Sequence, residues 1–220
     1  MSEQIHIGIA EDHDLVREGL VSLLKDQEGI KVLFDVSNGQ QLLDKLKIVK
    51  PHIILLDLEM PVMSGKEALE KIKQRYPKIK IMVLSAFFEE RFIIEYVKKG
   101  VHAFLPKNYK IEKVVDAIYK VHEVGAYFDS HVSMIMAKEL SESKDGMNST
   151  EINENELTEK EKTIIRYICQ NKTSEEIAKL LNLSKKTIDY HRSKIMDKTH
   201  SSSITSLITF AVQQKLISIQ

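Results

Sequence analysis

Between Ile5 and about Gly125, five short apolar runs alternate with segments of helical period, and no other feature of the sequence restricts the fold so severely. The runs are Ile5-His6-Ile7-Gly8-Ile9, Lys31 to Val36, Ile53-Ile54-Leu55-Leu56, Ile79 to Leu84 and Ala103-Phe104-Leu105. Between them apolar residues recur every three or four positions, as in Leu15, Gly19, Leu20, Leu23 and Leu24, or Val114, Val115, Ile118 and Val121. Pro51 and Pro77 stand just before the third and fourth runs, where a preceding helix should have ended. Five such units predict an α/β fold with a doubly wound parallel sheet covered on both faces. The unbroken third run fits its buried centre.

The rest of the chain reads differently. Val132, Ile135, Met136 and Leu140 form a short pattern suited to a connecting helix, and from Ser141 to Glu156 the sequence turns polar, as a linker does. A small all-α domain follows, with helix starts marked by Thr158 with Glu161, Thr173 with Glu176, and Ser184. A fourth helix is expected from about Ser203 to Lys215. The boundaries are therefore 1–125 for the α/β domain, 126–156 for the connection and 157–220 for the helical domain. The formal net charge of zero is uneven: residues 1–140 carry −1, residues 141–156 carry −4 and residues 157–220 carry +5. A basic last segment favours a nucleic-acid partner, although solvated helices reach the same charge. No apolar run approaches the ~20 residues that span a bilayer, and Met1 to Gln4 lead directly into a strand without a signal-peptide pattern, so a cytoplasmic protein is expected. The single cysteine, Cys169, excludes an internal disulfide and a Cys-rich zinc site, and reads as a buried thiol.

In an open parallel sheet, functional groups gather beyond the carboxyl ends of the strands. Glu11 and Asp12 follow the first strand, Asp57 ends the third, Ser85 ends the fourth and Lys107 follows the fifth. Three converging carboxylates repel unless a hard cation neutralises them, and an all-oxygen, partly hydrated site suits Mg²⁺. A lysine and a hydroxyl beside them supply donors for phosphoryl oxygens. The set fits an in-line phosphoryl displacement with Asp57, at the end of the central strand, as nucleophile.

Glu11-Asp12, the run from Asp57 to Gly65, Leu84-Ser85-Ala86 and Phe104-Leu105-Pro106-Lys107 resemble, in order and spacing, the four signatures of bacterial response-regulator receiver domains, over residues 4–125. The resemblance implies a flavodoxin-like fold and phosphorylation of Asp57 by a sensor histidine kinase. It further implies that Asp12, Asp57 and the Glu59 backbone carbonyl ligate Mg²⁺, with Glu11 acting mainly through water. Lys107 would pair with the phosphoryl group, Ser85 would swing to hydrogen-bond it, and Phe104 would turn inward as Ser85 moves. One departure is visible: receivers commonly carry proline directly after the lysine, whereas here Pro106 precedes Lys107 and Asn108 follows.

Residues 157–217 resemble the LuxR-type helix-turn-helix of the NarL/FixJ family, through Leu157-Thr158-Glu159-Lys160-Glu161, Glu176 to Leu181, Leu183 to Ile188, His191, Ile195 and Lys198. Independently, helices from Thr173 to Leu181 and from Ser184 to Thr199, joined by a short turn, satisfy the motif. Ile188, Ile195 and Thr199 should face the core. Lys186, Asp189, Tyr190 and Ser193 then face base edges in the major groove, while Lys185, Thr187, His191, Arg192, Lys194 and Lys198 suit phosphates. Two departures stand out. Asp189 occupies a place where relatives often carry lysine, and Thr199-His200 replaces a leucine-centred run.

Together these readings describe a phosphorylation-controlled transcription regulator that binds double-stranded DNA, not an enzyme. A homodimer is expected on phosphorylation, with Leu207, Ile208 and Ala211 or their exposed neighbours contributing on DNA and core packing as their competing role. A haloacid-dehalogenase-type phosphatase would also use a strand-end aspartate, but it needs a second aspartate two residues on, where Glu59 stands. A regulator whose main output is protein binding is the non-enzymatic alternative.

Overall fold

A computed structural model describes residues 4–86, 88–142, 157–201, 203–214 and 216–217. Most of the expected polar linker and Lys215 lie outside these residues. The five strands are β1 (Ile5–Ala10), β2 (Ile30–Val36), β3 (Ile53–Asp57), β4 (Lys80–Ser85) and β5 (Ala103–Pro106). They pair in parallel in the order β2-β1-β3-β4-β5, which leaves β3 central and every one of its residues buried. The doubly wound expectation holds.

Helices cover both faces. On one, α1 (Asp14–Lys25) and α5 (Ile111–Val124) set Leu24, Val114, Ile118 and Val121 against Ile7, Ile9 and Leu55. On the other, α2 (Gly39–Ile48), α3 (Gly65–Arg75) and α4 (Glu90–Lys98) pack Leu42, Leu46, Leu69, Ile72 and Tyr96 onto Ile54, Leu56, Ile81 and Val83. Alternating strand side chains thus feed two cores. The helix α3 starts with a reciprocal capping box between Ser64 and Glu67. Its first residue must be Gly65, because a Cβ there would overlap the Asp57 carbonyl. That close approach seats the α3 amino terminus against the end of β3.

The chain leaves α5 through Gly125, whose φ of 107° suits a residue without a Cβ. Tyr127 bridges to Ala103 beside β5. The connecting helix α6 (Ser130–Glu142) then buries Val132, Ile135 and Met136 in the core on the α4 side. The helical domain comprises α7 (Glu159–Cys169), α8 (Ser174–Leu181), α9 (Lys185–Lys198) and α10 (Ile204–Gln213). Thr158 with Glu161 and Thr173 with Glu176 form the anticipated capping boxes, and Ser184 caps α9. Ile164, Ile168, Ile177, Ile188, Ile195, Leu207 and Ala211 form its core.

Leu207, Ile208 and Ala211 take the packing role anticipated as their alternative. Leu207 and Ala211 are buried in the helical domain, and Ile208 is buried in the receiver-side core. None of the three offers a free surface to a second copy. Cys169 is a half-buried free thiol that burial pushes up to about 12. No helix among the described residues is long and apolar enough to cross a membrane.

Candidate functional site

The parallel register delivers the expected strand-end groups to one pocket. Glu11 and Asp57 are buried, Asp12 is half-buried, and Lys107 reaches in between: its Nζ lies 2.8 Å from Glu11 Oε2 and 3.0 Å from Asp57 Oδ2. The Lys107 backbone is held there by its N–H, which donates to the Ser85 carbonyl at 2.9 Å. The shifted proline does not displace the lysine, whose Nζ stays within ion-pair reach of both carboxylates. Leu58 N–H donates to Asp57 Oδ1 at 2.8 Å and orients the carboxylate.

Burial pushes the Asp57 carboxyl above its usual range, and the neighbouring Glu11 adds to that effect, although Lys107 opposes it. A carboxylate made more basic by desolvation is a better nucleophile. Burial alone would lower Lys107, but bonds to Glu11 and Asp57 outweigh it and keep the ammonium charged.

Three carboxylates face one ammonium, leaving about two negative charges in a mostly buried site. Glu11 Oε2, Asp12 Oδ1 and Asp57 Oδ2 are buried and accept no well-aligned hydrogen bond, even where Lys107 is within ion-pair reach. Such oxygens are costly unless a cation takes them up. The donor set therefore fits a divalent hard cation. Among the described residues, Glu11, Asp12, His13 and Asp57 each bring one ligand atom within 4.8 Å of the others. Glu59 turns its carboxylate to Lys66 at 3.0 Å, so its own part in ligation rests on its backbone.

Ser85 is buried at the end of β4, and Phe104 is fully buried between Phe88 and Tyr96, with ring centroids 5.7 and 5.9 Å away. The aromatic side chain is thus already inward. Two residues that sequence reasoning missed complete the pocket. Arg17 braces it by donating to the Glu11 carbonyl at 2.9 Å. His13 places Nδ1 2.9 Å from Asp12 and 3.1 Å from Glu11. Its position directly after Glu11-Asp12 was the available signal.

The helix α9 carries the expected DNA-facing residues, but its two sides differ. Lys186, Tyr190, Ser193 and Lys194 are exposed, with Lys194 lying 5.1 Å above the Tyr190 ring. On the adjacent stripe, Lys185 and Asp189 line a polar cleft shared with His122 and Glu123 of α5. Arg192 is half-buried, donating at 2.6 Å to the Val124 carbonyl and at 2.9 Å to Ser174 Oγ. Lys198 is paired with Glu161 at 2.8 Å. Thr187 faces Ser184 in the cap, and His191 stacks edge-on against Tyr190. Further contacts join the domains: Lys120 to Glu176 at 2.8 Å, and Asn171, whose side chain donates to the Phe128 carbonyl at 2.8 Å and accepts from its N–H at 3.3 Å. Charge and periodicity alone do not foretell which α9 residues meet the receiver, because that depends on the docking of the domains.

Comparison with known proteins agrees with both halves. Residues 7–119 match the response regulator receiver domain, and residues 155–211 match the bacterial regulatory proteins of the luxR family. The response regulator protein VraR of Staphylococcus epidermidis is 30% identical over 213 residues, covering 97% of this chain and 99% of the relative. The transcriptional regulatory protein LnrK of Bacillus subtilis is 31% identical over 213 residues, covering 95% and 97%. RcsB from Salmonella enterica serovar Typhimurium, solved bound to a promoter with the phosphomimetic BeF₃⁻, shares the fold at a TM-score of 0.58 and 21% identity, over 96% of this chain and 100% of that one. A five-stranded receiver with an acidic strand-end pocket, followed by a luxR-type helical domain, places this chain among the LuxR-family response regulators.

Proposed function

We propose that a sensor histidine kinase phosphorylates this regulator on Asp57 and that the phosphorylated protein binds operator DNA through α9 as a homodimer in the bacterial cytoplasm. The observation that carries the reading is the buried Asp57 carboxylate, oriented by Leu58, paired with Lys107 and flanked by the carboxylates of Glu11 and Asp12. An Asp57 oxygen forms the bond to phosphorus while the phosphorus–nitrogen bond to the kinase's histidine breaks, and the imidazole leaves with the electron pair. Lys107 meets charge on the phosphoryl oxygens, and Ser85 supplies a hydroxyl donor from the neighbouring strand. Asp12, Asp57 and the Glu59 carbonyl would hold Mg²⁺, with Glu11 behind them; bound there, the ion withdraws charge from the phosphoryl group. At the place where a phosphatase of that type needs a second aspartate stands Glu59, whose carboxylate is engaged with Lys66.

The output domain reads DNA with Lys186, Asp189, Tyr190 and Ser193 toward base edges, and with Lys185, Thr187, His191, Arg192, Lys194 and Lys198 toward phosphates. The receiver occupies residues 1–125, the connection 126–156 and the helix-turn-helix 157–220. Because Arg192 and the cleft around Asp189 face α5 in this conformation, use of that stripe on DNA requires the domains to part. Labelling with acetyl phosphate and Mg²⁺, followed by borohydride reduction and peptide mapping, tests the first step: the modification should fall on Asp57 alone. Selection from a random DNA pool with and without phosphodonor tests the second. Absence of any enriched sequence in both states would leave protein binding as the output.

A further inference from the structure

Two loops bring a donor each to the acidic pocket, Ser85 at the end of β4 and Lys107 after β5, and the Lys107 N–H ties them by donating to the Ser85 carbonyl at 2.9 Å. Beyond those donors both loops run to one place, the entry to α6. The chain after Lys107 closes a turn in which the Tyr109 N–H donates to the Pro106 carbonyl at 3.1 Å, and the Tyr109 hydroxyl donates to Asp129 Oδ2. Burial and the Asp129 carboxylate push the Tyr109 phenol above its ordinary value, so it keeps its proton and remains a donor. Asp129 Oδ1 meanwhile caps α6, accepting from the Val132 N–H at 2.9 Å. The chain after Ser85 packs Phe88 against Phe104 of β5, with centroids 5.7 Å apart, and stacks it on His131 of α6 at 5.6 Å and an interplanar angle of 24°.

The helical domain grips the same segment. The Asn171 side chain donates to the Phe128 carbonyl at 2.8 Å and accepts from the Phe128 N–H at 3.3 Å, directly before Asp129. Further along α6, Val132, Ile135 and Met136 share a core with Ile208 of α10. Residues 128–131 are therefore a junction touched by both donor loops and by the helical domain. A loop that moves toward a phosphoryl group pulls on Asp129 or on His131, and either pull reaches the Phe128 backbone that Asn171 holds. We propose that the segment from Phe128 to His131 couples phosphorylation of Asp57 to the docking of the helical domain, with Asp129 following the Lys107 loop and His131 following the Ser85 loop. The inference rests on the reading of Asp57 as the phosphoacceptor.

The test uses the full chain, acetyl phosphate with Mg²⁺, and a DNA site selected by the protein. Tyr109→Phe removes only a hydroxyl and His131→Ala only an exposed ring, and neither residue belongs to the acidic pocket. In the combined variant the gain in DNA affinity on phosphorylation should fall about fivefold, with labelling of Asp57 kept within about twofold. Met134→Ala, at an exposed position on α6, should keep the native gain. Hydrogen exchange on the same samples reads the junction without DNA. Protection of the Val132 and Ser133 amides, both bonded to Asp129, should change on phosphorylation of the native protein and not of the combined variant. A native gain in the combined variant overturns the inference, and so does an equal loss in Met134→Ala. A gain lost together with Asp57 labelling also overturns it, since the two residues would then only shape the pocket. Labelled native protein whose two amides do not respond sinks the coupling and leaves the phosphoacceptor reading standing. Absence of labelling in the native protein would instead refute that reading, and this inference with it.

Discussion

The acidic pocket of the receiver and the face of α9 proposed to read DNA stand in opposite states of readiness. In the pocket, Asp57 and Lys107 already sit 3.0 Å apart, with the carboxylates of Glu11 and Asp12 beside them. On α9, Arg192 is bonded to the receiver, and Lys185 and Asp189 look into a cleft shared with it. The difference has a physical origin. Strand ends in one sheet are held by the ladder hydrogen bonds of that sheet, so their side chains meet regardless of what the second domain does. The α9 stripe instead meets the receiver here and is proposed to meet DNA, so the domain arrangement decides which surface it faces. A receiver event can therefore act on DNA binding without touching a DNA-contacting residue, by shifting that arrangement.

The largest expected effect tests the ready half. Asp57→Asn should abolish phosphoryl incorporation and any response of DNA affinity to acetyl phosphate, while unphosphorylated affinity stays unchanged. Chelation of divalent cations should do the same to the native protein. Intact mass measurements with parallel binding titrations check both outcomes, and undiminished labelling of the variant would move the acceptor elsewhere.

The next effect concerns α9. A carboxylate only accepts hydrogen bonds, so on the proposed reading the base partner of Asp189 would be the amino group of cytosine. Asp189→Ala should lose about 1–3 kcal/mol of discrimination at one base pair while keeping or tightening binding to random DNA. Lys194→Ala should weaken all sequences alike and flatten the salt dependence. Titrations on a selected site and its single-base variants, over a range of salt, separate the two. An unchanged base preference would reduce Asp189 to a solvated helix charge.

Release of the domain contact should be smaller. The Asn171 backbone has a φ of 56°, so Asn171→Gly removes the two bonds to Phe128 without straining the turn. A loss of about 1 kcal/mol from docking corresponds to roughly a fivefold gain in unphosphorylated DNA affinity, with a larger radius of gyration in solution scattering. Unaltered scattering and affinity would mean that Asn171 does not hold the domains.

The smallest effect is electrostatic. Burial alone would raise the Glu176 carboxyl, but Lys120 and the Thr173 cap outweigh it and hold it down at about 2, from an ordinary value of 4.5. A depressed carboxyl stabilises the docked form fully above 4.5, and that contribution fades as the pH falls toward 2. The pair is partly exposed, so Lys120→Gln should cost less than about 1 kcal/mol of docking. Scattering of native and Lys120→Gln proteins at pH 7 and pH 5 should differ by the same small margin, which shrinks only below 4.5; a difference that disappears by pH 5 would refute the depressed carboxyl.

Local pattern was enough for several features, and the reason is short range. Two-residue and 3.6-residue periodicities, together with capping pairs such as Thr158–Glu161, report burial and helix starts from neighbours in sequence. The strand-end rule then follows from topology: once five parallel strands are predicted, Glu11, Asp12, Asp57, Ser85 and Lys107 belong at one edge. What the chain alone left open concerned groups whose partners are distant. Leu207, Ile208 and Ala211 look the same in sequence whether they pack inward or meet a second copy, and only the position of α10 between two cores buries them. Arg192 reads as a phosphate ligand by charge and periodicity, yet in the fold it meets a carbonyl 68 residues away. Periodicity names a face of a helix, and only the packing of whole domains supplies what that face touches.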